Sequence, residues 1–434
     1  MPSENDPLLP RTNGSAPTAH AHTIGEHIAA LIKGEGEPSW LQSYKFFFFG
    51  TWFNVLLVFI PLSIFAHHLN WDAALRFSFS FLAIIPLAKL LGEATEQMSA
   101  KLGQTLAGLL NASFGNAVEI IVGIAALMQG ELRIVQTSML GSILSNILLV
   151  LGCSFLAAGY VKKESTFQQT AAQASSSLMT LACITLVIPA AYHSTQGDAT
   201  GDPDSQYGLL VISRGTAIVL LVVYCAYLWF QLKSHADLFN PPDLKNGTGD
   251  QTNVGPADRA ELAEPETNAQ ASIAQVEEPA QMNVLSAAIA LLGVTVVTAF
   301  CADYLVASIE ETAERYHIPK AFIGLILLPI VANAAEHVTS VWMAMKDKME
   351  LTITICVGSS IQIAAFVVPL LVIVGWISGH ELTLFFANFE TIILFVSVIL
   401  VNTLIQDGKS NYMEGLMLLS LYFVIALSFW VSPE

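Results

Sequence analysis

The stretch Gly115-Asn116-Ala117-Val118-Glu119 lies inside an apolar segment that runs from about residue 106 to residue 128. About 20 apolar residues suffice to cross the roughly 30 Å hydrocarbon core of a bilayer. A carboxylate in the middle of such a segment is costly and is rarely present without a function. The pattern returns 217 residues later as Ala332-Asn333-Ala334-Ala335-Glu336, again inside an apolar segment. Two such motifs indicate two related halves that share one site.

The composition is that of a polytopic membrane protein. The chain has 434 residues, of which 54% are hydrophobic and 12% are charged, and its mean hydropathy is +0.59. These values exclude an ordinary soluble domain. The net charge of -17 comes largely from polar loops, so we expect no nucleic-acid partner.

The hydropathy pattern predicts an all-α polytopic membrane protein with about eleven transmembrane helices. The apolar segments cover roughly residues 46–66, 73–92, 105–128, 132–159, 173–192, 209–231, 283–305, 318–345, 351–377, 384–405 and 411–431. We interpret the chain as a disordered cytosolic tail (1–40), an extra transmembrane helix (46–66), a first repeat (73–231), an acidic cytosolic linker (234–281) and a second repeat (283–431). Each repeat has five spans, and an odd number of spans makes the two repeats inverted.

The distribution of Lys and Arg predicts the orientation. With eleven spans, 13 of the 18 basic residues fall on the side of the N-terminus. Only Arg76, Arg133, Arg214, Arg315 and Lys320 fall on the other side. Because basic loops stay in the cytosol, the N-terminus is predicted to be cytosolic and the C-terminus lumenal.

The two motifs predict an all-oxygen cation site. Residues three apart share a helix face, so Asn116 would present its oxygen together with Glu119, and Asn333 with Glu336. Gly115 weakens its helix, and Pro329 removes an amide donor, which would free backbone carbonyls. Hard cations such as Ca²⁺ take about six to eight oxygen ligands. Neither motif contains Cys or Met, which argues against copper.

A second pair of polar segments follows each motif at the same offset. The segment from Gly141-Ser142 through Ser145-Asn146 corresponds to Gly358-Ser359-Ser360-Ile361-Gln362. Their polar groups could complete the cation shell or bond to the glutamates. We interpret Ser142, Ser359, Ser360 and Gln362 as cation ligands or as hydrogen-bond partners of the glutamates. Helix packing by small polar residues is the alternative for each.

Three further titratable residues stand near the motifs. His337 is either a tuning group next to Glu336 or a helix-packing histidine. Glu93 and Glu96, at the cytosolic end of the second helix, either form a vestibule or simply lie at a solvated helix end.

The charge balance suggests ion exchange. Two midplane glutamates neutralise one divalent cation, and without it burial and mutual repulsion favour the uptake of protons. If the site can switch between the two sides of the membrane only when it holds one Ca²⁺ or two protons, the protein is a cation/proton antiporter that works by alternating access.

The motifs resemble those of the calcium/proton exchanger branch of the calcium/cation antiporter superfamily, in particular its fungal vacuolar members. The resemblance extends from about residue 80 to the C-terminus. It implies that Glu119 and Glu336 bind Ca²⁺ and protons, and that Ca²⁺ moves from the cytosol into an acidic vacuole. The implied location is the vacuole membrane, with no cofactor and with the oligomeric state open, a homo-oligomer included. Ala335 precedes Glu336 where the sodium-coupled branch usually has Pro, which favours proton coupling.

Other functions remain as alternatives. A Mn²⁺/H⁺ or Na⁺/Ca²⁺ exchanger would use the same scaffold, since oxygen ligands specify the ion poorly. A cation channel can also use carboxylates. An intramembrane enzyme would need a nucleophile–base pair or an aspartate pair, and no predicted span offers either. The chain is therefore predicted to be a secondary transporter, not an enzyme.

The predicted topology can be tested at two glycosylation sequons, Asn13-Gly-Ser15 and Asn246-Gly-Thr248. Both are predicted to face the cytosol, where no glycan is added. We therefore expect glycosidase treatment to leave the mass of the protein unchanged. A mass shift that maps to either asparagine would contradict the orientation.

Overall fold

The computed structural model describes residues 38–196, 203–234 and 281–432. The predicted tail (1–40) and linker (234–281) lie almost entirely outside these residues, as do both sequons. The described part is almost wholly helical, with one short antiparallel strand pair.

The helices are numbered here in chain order. The first half contains α1 (Trp40–Phe49), a 3₁₀ segment (Trp52–Val58) leading into α2 (Phe59–His68), α3 (Ala73–Phe114), α4 (Ala117–Met128), α5 (Leu132–Leu144), a π-helical segment (Ser145–Val150), α6 (Leu151–Val161), α7 (Gln169–Gln196), α8 (Pro203–Trp229) and a second π-helical segment (Phe230–Ser234). The second half contains α9 (Val284–Tyr316), α10 (Lys320–Phe322), a π-helical segment (Ile323–Leu327), α11 (Leu328–Ala332), α12 (Ala334–Met345), α13 (Met349–Gln362), a π-helical segment (Ile363–Val367), α14 (Val368–Ser378), α15 (Asn388–Ile405) and α16 (Tyr412–Val431). The strands are β1 (Ser165–Thr166) and β2 (Lys409–Ser410).

These helices supply the predicted number of membrane spans. Eight helices or helix runs are long and apolar enough to cross a bilayer, and three bent helix pairs bring the described part to as many as eleven spans. The bent pairs are α1 with 52–68, residues 106–114 with α4, and 320–332 with α12, with bends of 84°, 43° and 57°. The second and third pairs contain the two Asn-x-x-Glu motifs.

The first predicted helix (46–66) is divided in the structure. Residues 46–49 belong to α1, and the chain turns by 84° at Gly50 and Thr51 before the span 52–68 begins. The predicted segment joined the two because Phe46 to Phe49 continue the apolar run.

α3 contains a reversal that its length conceals. A straight helix of 42 residues would be about 63 Å long, twice the thickness of the bilayer core. The Ser99 hydroxyl nevertheless donates to Asn111 Oδ1 at 3.1 Å. Twelve helical residues would separate these side chains by about 18 Å, so the chain folds back between them. This reversal returns the chain to the membrane for the span that contains Glu119.

The two halves have matching breaks. π-helical segments follow Ser142 in the first half and Ser359 in the second, at Ser145–Val150 and Ile363–Val367. Single π-helical turns are common at functional sites, where they change the direction of side chains. Together with the two bent motif helices, these matching breaks are compatible with the predicted repeat.

Glycines allow the broken helices to cross closely. A Cβ atom at Gly141 of α5 would lie 2.6 Å from Cγ of Pro329, and one at Gly324 would lie 2.9 Å from Cβ of Thr137. No larger residue fits at either contact without a shift of the backbone. Pro329 thus packs at this crossing, four residues before the bend at Asn333.

Ion pairs identify the two membrane faces. One face carries the pairs Lys162–Asp347 and Lys409–Glu164, each at 2.9 Å, and the β1–β2 strand pair. We call it the lysine-rich face. The opposite face carries the pairs Arg76–Glu311, Asp72–Arg315 and Arg133–Glu390.

The Arg133–Glu390 pair predicts a measurable loss of stability. The Glu390 side chain is 1% exposed and also accepts from the Ala387 amide at 3.2 Å, whereas Lys162 and Asp347 are about half exposed. Arg133→Ala leaves a buried carboxylate without its cation, at a cost on the order of 3–5 kcal/mol. Lys162→Ala should cost about 0–1 kcal/mol. Thermal unfolding in detergent compares the two variants, and equal shifts would show that Glu390 is not held by Arg133.

Candidate cation site

Both motif glutamates occupy the same position in their helices. α4 begins after Asn116 and α12 begins after Asn333, so each asparagine is an N-cap and each glutamate is the third helical residue. The asparagines lie at the 43° and 57° bends, where their backbone leaves the regular helix. The bends therefore place both carboxylates at helix starts inside the protein.

Neither asparagine caps its own helix. An N-cap asparagine ordinarily accepts a hydrogen bond from the first helical turn. Asn116 Nδ2 instead donates to Gln362 Oε1 at 2.5 Å, and Asn116 Oδ1 accepts from the Ser359 hydroxyl at 2.8 Å. Asn333 Nδ2 donates to the Ser142 carbonyl at 3.3 Å. Each asparagine thus joins its bend to the other half of the chain.

The two carboxyl groups are buried close to each other. Glu119 is only 4% exposed. Glu336 is half-buried as a residue, but its Oε2 is fully buried and has no hydrogen-bond partner among the described residues. Glu336 lies beside Ser359 and Asn146, near enough to Glu119 for their charges to interact. Within the described residues, neither glutamate forms an ion pair with Lys, Arg or His. Such a pair of carboxyl groups needs a bound cation or protons.

Asn146 belongs to the polar segment that begins at Gly141, but the sequence interpretation did not single it out as a site residue. It is fully buried in the first π-helical segment, and its Nδ2 donates to the Ser359 hydroxyl at 2.9 Å. Its Oδ1, like that of Asn333, is buried and has no partner in the described part of the chain. The available signal was an amide residue inside an apolar span, four residues after Ser142.

A cavity of about 750 Å³ connects the glutamates with the lysine-rich face. Its inner wall contains Glu119, Glu336, Ser359 and Gln362. Its remaining lining includes the predicted vestibule residues Glu93 and Glu96, with Lys89, Tyr224, Tyr227, Gln168 and Glu350. The structure thus places the vestibule residues and the glutamates around one space.

The other side of Glu119 is closed. A second cavity of about 10 Å³ is lined by Glu119, Ser138, Ser142 and mainly apolar side chains such as Ile84 and Leu305. That volume holds about one water molecule. This conformation therefore gives the glutamates access from the lysine-rich face.

The remaining predicted residues lie in different surroundings. Gly115 and Gly358 line the large cavity. The Ser360 hydroxyl donates to the Cys356 and Ile143 carbonyls at 2.9 and 3.5 Å, which joins α13 to α5. These bonds turn the Ser360 hydroxyl away from the cavity. His337 is half-buried and is not among the residues that line the cavity.

The donor set fits a hard cation better than a transition metal. Within the described residues, no three His, Cys, Asp or Glu side chains come together as a metal cage. Two carboxylates supplemented by amide, hydroxyl and carbonyl oxygens are the ligands that Ca²⁺ accepts.

Comparisons with known proteins place the chain in a class of membrane transporters. Residues 72–233 and 286–431 match the sodium/calcium exchanger protein family, and the chain belongs to this family. The match covers both predicted repeats, and its gap contains the acidic linker.

Individual relatives narrow the resemblance. The chain is 45% identical over 387 residues to a vacuolar calcium ion transporter of Schizosaccharomyces pombe, covering 88% of this chain and 86% of the relative. It is 40% identical over 396 residues to vacuolar cation/proton exchanger 2 of Arabidopsis thaliana, covering 91% and 84%. The predicted resemblance to vacuolar calcium/proton exchangers is confirmed, and these relatives are transporters, not enzymes.

Solved structures confirm the fold. The structure of native YfkE superposes with a TM-score of 0.69 at 32% identity, covering 88% of this chain and all of that one. A second YfkE structure is described as a Ca²⁺/H⁺ antiporter protein and gives a TM-score of 0.67 at 31% identity. An H⁺/Ca²⁺ exchanger, at 13% identity, supports the fold alone, with a TM-score of 0.57 over 87% of this chain and 91% of that one.

The close approach at Gly115 predicts a sensitive position. A Cβ atom there would lie 2.6 Å from the Asn111 carbonyl and 3.2 Å from Gln362 Oε1, whereas one at Gly92, also on the cavity wall, meets nothing within 4 Å. Binding sites tolerate displacements of only about 0.5 Å, so Gly115→Ala should lower the initial transport rate roughly tenfold or more. Gly92→Ala is the matched control and should transport normally. Equal rates in the two variants would refute the role of the Gln362–Asn116 contact.

Proposed function

We propose that this protein is a secondary antiporter that moves Ca²⁺ from the cytosol into an acidic vacuole in exchange for H⁺. Its family relatives support Ca²⁺/H⁺ antiport at the level of the family. One observation carries the assignment to this site: Glu119 and the Oε2 atom of Glu336 are buried at the inner end of a cavity, and neither glutamate has a basic partner among the described residues.

The proposed Ca²⁺ ligands are the two carboxylates together with neutral oxygens around them. Asn146 Oδ1 and Asn333 Oδ1 are buried acceptors for which the described residues supply no donor, so both have lone pairs available for a cation. Their amide nitrogens are held by Ser359 and by the Ser142 carbonyl, which fixes the direction of these oxygens. Two carboxylates neutralise the charge of Ca²⁺, and the neutral oxygens raise the number of ligands toward the six to eight that it prefers.

Protons are the proposed alternative occupants. When Ca²⁺ leaves, two carboxylates remain close together in a medium of low polarity, where bare charges are strongly disfavoured. Protonation neutralises both glutamates, so the site needs no other ion after Ca²⁺ has left. Ca²⁺ and protons therefore exclude each other at the same oxygens, and this competition couples their movements.

The conformation supplies one half of a transport cycle. The cavity reaches the lysine-rich face, and we take this face to be cytosolic because of its excess of basic residues. Ca²⁺ would enter past Glu93 and Glu96, whose carboxylates raise its local concentration. Alternating access requires a second conformation that is open on the opposite face, where inverted repeats exchange their roles.

Transport into proteoliposomes tests the coupling ion. We expect Ca²⁺ uptake, without ATP, into vesicles with an acidic lumen, and we expect a protonophore to abolish it. Uptake that ignores the proton gradient but requires lumenal Na⁺ would indicate a Na⁺/Ca²⁺ exchanger. Flux that needs neither gradient would indicate a channel. Mn²⁺ in place of Ca²⁺ measures the selectivity for the divalent ion in the same assay.

Conservative variants test the site itself. Glu119→Gln and Glu336→Gln keep the shape of the side chain and remove one ionisable group, so each should reduce Ca²⁺/H⁺ exchange to background. Glu350→Gln, which lies on the same cavity wall and accepts from the Gln168 amide at 3.1 Å, is the matched control. It should retain most of the rate. An unchanged thermal unfolding temperature shows that a loss of exchange does not come from misfolding. Substantial exchange by either site variant would remove that glutamate from the proposed mechanism.

A further inference from the structure

α1 stands nearly perpendicular to the first membrane span. The angle between α1 and residues 52–68 is 84°. That span leads to Asp72, which pairs with Arg315 at 2.6 Å on the opposite face. α1 therefore lies at the other end of the span, on the lysine-rich face, with its axis almost parallel to the membrane plane.

One side of α1 is fixed to the protein. Ser43 and Phe47 are buried, and the Ser43 hydroxyl accepts from the Asn283 amide at 3.3 Å, just before α9 begins. Asn54 Nδ2 donates to the Phe47 carbonyl at 2.9 Å, which joins α1 to the following span. The position of α1 is therefore set by contacts that leave its other sides uncovered.

An uncovered side of α1 is aromatic and apolar. Trp40, Tyr44 and Phe48 follow one another at a spacing of four residues, with ring centroids 6.1 and 6.3 Å apart. Leu41 lies two helical turns from Phe48 and therefore on the same side. The exposed fractions of Leu41 and Phe48 are 82% and 41%. Phe49, which is 82% exposed, lies seven residues from Gln42 and therefore on the same side of the helix, and Lys45 lies four residues from both Leu41 and Phe49. The uncovered surface of α1 is therefore mainly apolar, with Gln42 and Lys45 set among apolar side chains.

We propose that α1 is a membrane-surface helix whose aromatic side enters the boundary between headgroups and acyl chains of the leaflet on the lysine-rich face. Three observations favour a lipid surface over other occupants. The axis is parallel to the membrane at the end of a span, the uncovered surface is rich in Trp, Tyr and Phe, and the long side chain of Lys45 can reach the headgroups from among its apolar neighbours. Aromatic residues prefer this boundary, and amphipathic helices bind there.

The same turn contacts the wall of the large cavity. Thr51 Oγ1 accepts from Lys89 Nζ at 2.8 Å, and Lys89 pairs with Glu93 at 3.5 Å. Lys89 and Glu93 both line the cavity. A helix anchored in the leaflet would thereby hold one edge of the cavity at a fixed depth. This role does not depend on which ion is transported.

Spin labels at two positions on the lysine-rich face test the proposal in the full-length protein. The five cysteines, all without disulfides, are replaced, and a nitroxide is attached at Leu41→Cys or, as a water-facing control, at Lys163→Cys, an exposed position next to Lys162. The protein is reconstituted in bilayers, and collisions with oxygen and with a water-soluble nickel chelate are measured. We expect the ratio of oxygen to nickel accessibility to be severalfold higher at residue 41 than at residue 163. Retained Ca²⁺ transport shows that the labelled proteins are folded.

Two outcomes would overturn the proposal. Strong nickel accessibility at both positions would mean that α1 lies in water. Shielding from both reagents at residue 41 would mean that protein covers it, with spin–spin broadening indicating a second copy of the chain. Quenching of Trp40 fluorescence by brominated lipids, taken as the difference from Trp40→Phe, is an independent check and should be strongest for bromines near the headgroups.

Discussion

Two carboxyl groups that lie near each other in the interior, with no basic partner among the described residues, are the constraint on which the rest of the structure depends. Burial of Glu119 and of Glu336 Oε2 makes bare charges there costly, and each charge makes the other costlier still. A lysine or arginine beside them would remove this tension and would also remove the need for a mobile ion. Within the described residues the glutamates have no such partner, so the site is balanced only when it holds a cation or protons. The proposed exchange follows from that balance.

The surrounding helices keep both carboxylates at the same point. Each lies in the first turn after a bend, and the asparagines at the bends make hydrogen bonds to the other half instead of capping their own helices. Ser359 links Asn116 with Asn146, so the amides of the first half and the hydroxyl of the second form one network. A displacement of either half would alter the surroundings of both glutamates together. This arrangement suits the proposed alternating access, in which the site opens to each side of the membrane in turn.

Much of this could be predicted from the sequence, because the bilayer restricts what an apolar segment can do. The lengths of the apolar segments predicted the number of membrane spans. The carboxylates inside two of these segments indicated Glu119 and Glu336 as site residues. Features that depend on tertiary contacts could not be predicted in the same way. The reversal inside α3 depends on the contact between Ser99 and Asn111, and the turn after α1 depends on the burial of Ser43 and Phe47. Ser359 and Ser360 are neighbours in the same motif, so the sequence could not distinguish their roles. In the structure the Ser360 hydroxyl donates to backbone carbonyls, whereas the Ser359 hydroxyl donates to Asn116.

The most direct test of competition between Ca²⁺ and protons is the number of protons released when Ca²⁺ binds. The purified protein in weakly buffered detergent solution would be titrated with Ca²⁺ near neutral pH while proton release and bound Ca²⁺ are both recorded. If the two glutamates are the shared site, binding releases protons, and the release disappears when both are replaced by Gln. Ca²⁺ binding of the same affinity without proton release, or release that persists in the double variant, would contradict the account.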